Sequence, residues 1–519
     1  MDPFTRIPAE LRLQIFSYLS SKATISSLIQ ASPIMLEQYL GYKTKIIRNL
    51  LERDLDDQMI QDAMAIILYP SLRNARKSKL CFDAHLLHWE CRKLRNPLVT
   101  HDTVLLDQLD KLHSLLMVFV EDYITKATAD FRPREYICLP EPTHSQSHLV
   151  FKGQKVTRRF DSCNLSEGER RRLLRAFLRV ELYSLTLRTT AFESDPFAKR
   201  RIMSYVAFGA NRRDEEAIRC VWVYTSSLYG AIFAQCADAW LPLADAPPET
   251  GLLFPDNILV DAIEYGKDAG IKGEEKRSAI ESMAQYGFSL IFEIIRFAIA
   301  KPQYTSTLKN FVEKLCSFRM DITSEDLFGR GMKWGGLHGL SHNTGFRYSG
   351  DDLHFDEQPW WKYLGTKLHH RRGRQIQYKI FQQRAWPIFD DDRHYPVNTA
   401  ALPVFPTPYF LEEMGEMATE MMLRERTNDF VSSFEIGSVS YGQLEPRARD
   451  LRRTQKWQDK MKQRRGSDWS TVSSLPWISL GNHEVSLPVI ENQEQLLTWS
   501  SRGVVRYDES KEAYVVVKE

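Results

Sequence analysis

Seven cysteines in 519 residues, at Cys81, Cys91, Cys138, Cys163, Cys220, Cys236 and Cys316, are too few and too scattered to frame a fold with disulfides. No two of them form a CxxC pair, and no regular spacing suggests a disulfide framework. A reducing compartment, cytoplasmic or nuclear, is the expectation. Charge of one sign is also missing: 69 Lys+Arg face 67 Asp+Glu, a formal net charge of +2. A surface so balanced is not built as a whole to hold nucleic acid or anionic lipid. Long apolar runs are absent too. The longest uncharged stretch, 220–237, only reaches the minimum for a membrane span and carries Thr225, Ser226, Ser227 and Gln235, so a buried core helix is expected there and no membrane partner. The opening residues MDPFTRIPAELRLQIF lack the charged-then-apolar order of a signal peptide, and secretion is not expected. No fixed-period repeat occurs: no WD series, no LxxLxL units, no kelch-like glycines.

What is present is the composition of a folded chain, with 43% hydrophobic, 26% charged and 11% aromatic residues. At roughly 150 residues per domain the length gives about three to four domain equivalents, enough for a large core. Apolar residues at helical spacing predict helices over 5–19, 24–31, 43–68, 103–128, 166–189, 215–237 and 274–300. Pro8 is expected in the first turn of the first helix, and Ser32-Pro33 as the N-cap and first position of the third. Glycines crowd 326–350, which predicts irregular structure. At the far end, Val504 to Tyr507 and Ala513 to Val517 flank a polar turn, the pattern of a hairpin. The fold class is therefore mainly α: three short helices, a large irregular all-α domain, and a small C-terminal β-hairpin.

On a wheel of about 100° per residue with Leu11 at zero, Ile15, Tyr18 and Leu19 fall within about 80° of it, while Phe16 and Leu13 lie near about 140° and about 200°. The first helix thus shows apolar groups on two sides and needs two neighbours. The second and third helices, with Ile25, Leu28, Ile29, Leu36, Tyr39 and Leu40, can cover one of them. Three helices in about 40 residues are at or below the size that stabilises itself alone, so the other face must dock on this chain or on a partner.

The same residues carry a resemblance. IPAELRLQIFSYLS followed by SSLIQASPIMLEQYL resembles an F-box: Ile7-Pro8 stands for its Leu-Pro, Glu10-Leu11 for the acidic-Leu pair, then Ile15, Leu19 and an aliphatic cluster ending in Ala31-Ser32. Ile7 replaces the usual Leu, and Pro33 stands where many members have a basic or polar residue. Further stretches, 45–71, Arg171 to Leu185 and 373–395, are similar to large fungal F-box-containing proteins of unassigned substrate. The resemblance implies a receptor that hands an apolar helical face to a Skp-type adaptor, and through it to a cullin scaffold and RING subunit, while another part selects an unknown protein client. Adaptor contacts are expected at Pro8, Leu11, Ile15 and Leu19, with Ile7 and Leu28 next. The implied division of the chain is an F-box over 1–42, a client-binding helical domain over 43–430 and a basic, Ser-rich tail over 431–519.

Candidate chemistry is thin. Cys81, His85, His88 and Cys91 have a spacing that matches no zinc motif, and the expected reading is buried cysteine and capped histidine on an apolar helix with Phe82, Leu86, Leu87 and Trp89. His338 and His342 lack the glutamate of HExxH, and FGRGMKWGG lacks the Lys-Ser/Thr end of a P-loop. Asp390, Asp391 and Asp392 are expected in a solvated loop rather than on a cation. No catalytic constellation, no metal and no cofactor is implied, and the chain is read as a receptor rather than an enzyme. The segment 447–465 holds nine basic residues against Asp450 and Asp459, a net of +7. Its paired clusters, Arg452 with Arg453 and Arg464 with Arg465, resemble a nuclear-import signal or an anion-binding patch. The alternative reading rests on it: a helical nuclear protein that binds nucleic acid or a protein through this segment, the F-box pattern being an internal bundle.

Overall fold

The computed structural model describes residues 2–19, 21–69, 84–129, 135–142, 148–190, 212–236, 283–317, 382–390 and short pieces between 486 and 517. Among these, helices dominate. The chain opens with a 3-10 turn, Pro3–Arg6, followed by α1 (Ala9–Tyr18), α2 (Lys22–Ala31) and α3 (Pro33–Asp54). The single helix expected over 5–19 is therefore two elements. Pro8 does not sit inside the first turn but just before it, because a proline pushes its predecessor out of the α region: Ile7 is extended, at φ −89° and ψ 128°. Ser32 and Pro33 behave as expected, the Ser32 hydroxyl accepting from the Met35 amide at 3.1 Å. Ser21 caps α2 in the same way, through Thr24 N at 3.1 Å.

The third helix does not stop near residue 42. It continues to Asp54 across a kink at Tyr42 (φ −124°, ψ 18°), so one element joins the N-terminal unit to the helices beyond it. The helix expected over 43–68 is instead divided, with Leu55 and Asp56 extended between α3 and α4 (Asp57–Ile67). The Asp56 carboxylate accepts from Met59 N at 2.9 Å and starts the new helix.

Four long helices then form the body: α5 (Thr103–Thr128), α6 (Glu167–Thr190), α7 (Arg212–Cys236) and α8 (Gly287–Ala300), with α9 (Thr305–Ser317) beside them. Asp102 caps α5 by accepting from Val104 N and Leu105 N, both at 3.0 Å. Ser166 and Glu169 start α6 as a reciprocal capping box, with N–H···O distances of 3.1 and 3.0 Å. At the start of α8 the Glu181 carboxylate accepts from Phe288 N at 2.6 Å and from the Ser289 hydroxyl at 3.0 Å. Gly287 makes that approach at φ +74°, and a Cβ there would lie 2.5 Å from Glu181 Oε2. The core between these helices is aromatic: Phe119 and Phe177 meet Phe288 with centroids 4.8 and 5.1 Å apart, and Tyr123 meets Tyr224 at 4.8 Å.

The uncharged run after Cys220 lies in α7, with Cys220, Val221, Tyr224, Leu228, Tyr229 and Ile232 all buried. Among the described residues no helix is long and apolar enough to cross a membrane. The segment 382–390 closes the body from far along the chain: Tyr123 and Tyr136 donate to the Gln382 and Gln383 carbonyls at 2.8 and 3.1 Å. Trp386, Ile388 and Phe389 are buried there. A hairpin not expected from the sequence, β1 (His148–Phe151) with β2 (Gln154–Arg158), turns at Lys152 and Gly153, both at positive φ. The expected C-terminal hairpin is present as antiparallel β3 (Val504–Asp508) and β4 (Ala513–Val517), pairing Val505 with Val516. Of the helix expected over 274–300, residues 274–282 lie outside the described residues, as does the glycine-rich 326–350, and Ala284–Tyr286 form a 3-10 turn, so the helix itself begins only at Gly287.

Candidate adaptor-docking surface

The first three helices enclose a small core of their own, built on Phe16, Ile25, Met35, Ile46 and Leu50 and separate from the main one. Phe16 packs on Tyr39 with ring centroids 6.0 Å apart, and the Gln38 amide donates to the Ala9 carbonyl at 3.4 Å. This core settles the orientation of α1. Ile15, Leu19 and Leu13 turn toward Phe16 and are partly buried, as is Leu28 of α2. Leu11 and Tyr18 remain outside, 50% and 75% exposed.

The face that grouped Leu11 with Ile15, Tyr18 and Leu19 is thus split. The wheel gives angles, but the buried arc is centred by whichever neighbours arrive, and it runs from Ile15 through Leu19 and Phe16 to Leu13. Of the six residues expected to touch an adaptor, Pro8 and Leu11 are exposed and Ile7 is half-exposed, whereas Ile15, Leu19 and Leu28 pack against the unit's own core. The structure adds Leu36 and Leu40 of α3, 40% and 66% exposed, which were expected to cover α1. Their spacing of four places them about 160–200° around the helix from Gln38, which faces α1. That offset was readable in the sequence once Gln38 was known to point inward.

The unit is fastened to the body along its other side. Lys22 pairs with Asp110 and Ser114 of α5, while within the unit Arg53 donates to the Leu19 carbonyl at 3.0 Å. Asp54, 3% exposed at the end of α3, accepts from His113 Nε2 at 3.1 Å and from Arg170 of α6 at 3.2 Å. Burial alone would raise the Asp54 carboxyl, but the hydrogen bond and charge of His113, with Arg170 and Arg53, outweigh it and hold it down to about 2. A carboxyl depressed in the folded state stabilises above its unfolded value, here by about 2 kcal/mol. That contribution is lost as pH falls from about 4 through about 2. Denaturation of wild type and Asp54→Asn should therefore show a stability gap at pH 7 that narrows by pH 3; a gap unchanged over that range contradicts it.

The remaining candidates resolve into packing where they are described. His85 is buried with Nε2 2.9 Å from the Ala65 carbonyl, and burial pushes its imidazole down to about 4. Cys91 is exposed rather than buried, Leu87 is 57% exposed, and Cys81 and Phe82 lie outside the described residues. Asp390 is not simply solvated: the Ser166 hydroxyl donates to it at 2.6 Å and Arg172 pairs with it, tying 382–390 to the start of α6. Asp391, Asp392, His338, His342 and the basic residues Arg452, Arg453, Arg464 and Arg465 lie outside the described residues. Among the described residues no group of three or more His, Cys, Asp or Glu side chains is placed to hold a metal ion.

The chain matches no protein-family model, and neither a curated protein nor a solved structure matches it.

Proposed function

We propose that this chain is a substrate-recognition subunit of an SCF-type cullin-RING ubiquitin ligase, its N-terminal unit binding a Skp-type adaptor and its helical body taking a protein client. One observation carries the proposal: the unit whose sequence resembles an F-box leaves Leu11, Tyr18, Leu36 and Leu40 in water. Among the described residues the body does not cover them, although it is close enough to grip Lys22 and Asp54. Large apolar side chains left exposed on a small helical unit favour a partner that buries them, and a few such anchors carry most of the affinity in helix recognition. In this reading Pro8 and Leu11 touch the adaptor, while Ile15, Leu19 and Leu28 shape the unit that presents them. The unit itself performs no chemistry.

The test is capture of a Skp-type adaptor by the full chain. Leu11→Glu with Leu40→Glu should weaken capture at least about tenfold, because charges placed at anchors cannot be desolvated, and should leave circular dichroism unchanged. Ile15→Glu is unsuitable, since it would also disrupt the small core. Failure of the wild-type chain to capture adaptor, or undiminished capture by the double variant, overturns the proposal.

A further inference from the structure

The junction between the N-terminal unit and the body is incompletely filled. A cleft of about 340 Å³ lies there, within the roughly 300–1,000 Å³ typical of small-molecule sites. Its walls are mainly apolar, formed by Leu50 of α3, Leu115, Met117 and Val118 of α5, and Phe292 of α8. His113 also lines it and is only 4% exposed.

The two ring nitrogens of His113 differ. Nε2 lies 3.1 Å from Asp54, whereas Nδ1 is buried with no hydrogen-bond partner among the described residues. Asp54 is ionised and can only accept, so Nε2 directs a hydrogen at it, and Nδ1 is the ring nitrogen left without a partner among the described residues. The cations along the cleft are already engaged: Lys22 with Asp110, Lys111 with Asp107 and Arg170 with Asp54. A buried ring nitrogen with no partner, beside a mainly apolar recess, calls for a ligand with a single hydrogen-bonding group on a greasy frame.

We propose that this cleft binds a small, mainly apolar molecule carrying one hydroxyl, which hydrogen-bonds to His113 Nδ1. Carboxylates and phosphates are poor candidates, because Asp54 and Glu121 share the wall and no cation there lacks an acidic partner. Since the walls come from both the three-helix unit and the body, the ligand would bridge them.

Paired probes test the chemistry on the full chain. p-Cresol and toluene have the same frame and differ by one hydroxyl, and burial of apolar area alone ranks toluene first. Saturation-transfer NMR with titration should show p-cresol binding about fivefold or more tightly than toluene, the scale of one buried hydrogen bond. His113→Phe should remove that preference and keep toluene binding. Leu115→Trp should abolish both by filling the cleft from its apolar wall, with His113 and Asp54 intact. Absence of p-cresol binding, equal affinities in the wild type, a preference that survives His113→Phe, or binding that survives Leu115→Trp each overturns the proposal. Should His113→Phe fail to fold, the wild-type ratio and Leu115→Trp still decide.

Discussion

Replacing Lys126 by Met is expected to destabilise the body by about 3–5 kcal/mol, the cost of breaking a buried ion pair from one side. Lys126 is wholly buried in α5, where its ammonium lies 2.6 Å from Asp122 and donates to the Cys138 carbonyl at 2.9 Å. The rings of Tyr136 and Tyr224 stand 5.9 and 5.6 Å away and receive it as a cation. Without the ammonium, Asp122 keeps the hydrogen bond from the Tyr224 hydroxyl at 2.7 Å but loses its counter-charge in a site with no solvent access. Adding Asp122→Leu removes the stranded carboxylate, so the double variant should be more stable than Lys126→Met alone. Guanidinium denaturation of the three proteins checks both statements, and a near-neutral single variant would show that the pair is not what holds α5 in place.

Asp62→Ala should have an effect of similar size. This carboxylate, fully buried in α4, is shared by three donors: Arg179 Nε at 2.7 Å, Trp89 Nε1 at 2.9 Å and Gln58 Nε2 at 3.3 Å. Arg179 also lies over the Trp89 ring at 5.1 Å. Truncation leaves the guanidinium without its carboxylate in the interior and costs about 3–5 kcal/mol. Arg179→Met added to Asp62→Leu should recover much of the loss, since apolar groups of similar size tolerate the site. Thermal unfolding ranks the variants; equal losses in the single Asp62→Ala variant and the double variant would count against a charge-based cost.

The local part of this architecture was readable in advance. Helix α5 covers the 103–128 that its apolar spacing predicts, because a capped amphipathic run of 26 residues needs little help from elsewhere. The C-terminal hairpin was equally legible, while β1 and β2 were missed despite the positive-φ turn at Lys152-Gly153, their strands being short and irregular in register. The candidate surface was half legible. Spacing identified the apolar residues of α1, but which of them face inward depends on Phe16 meeting Tyr39 and Met35, partners on a different helix. The Asp54, His113 and Arg170 cluster was invisible for the same reason, its members being 59 and 116 positions apart.

The bond from Tyr123 to the Gln382 carbonyl spans 259 positions. On a ribosome adding roughly 5–20 residues per second, α5 would wait on the order of 13–50 s for the piece that caps it. Through that interval the pocket awaiting Trp386, Ile388 and Phe389 stands open and sticky, a natural substrate for a holdase chaperone. Nascent chains stalled before residue 380 should accordingly be cut by protease within the body, and chains released after residue 390 should resist it.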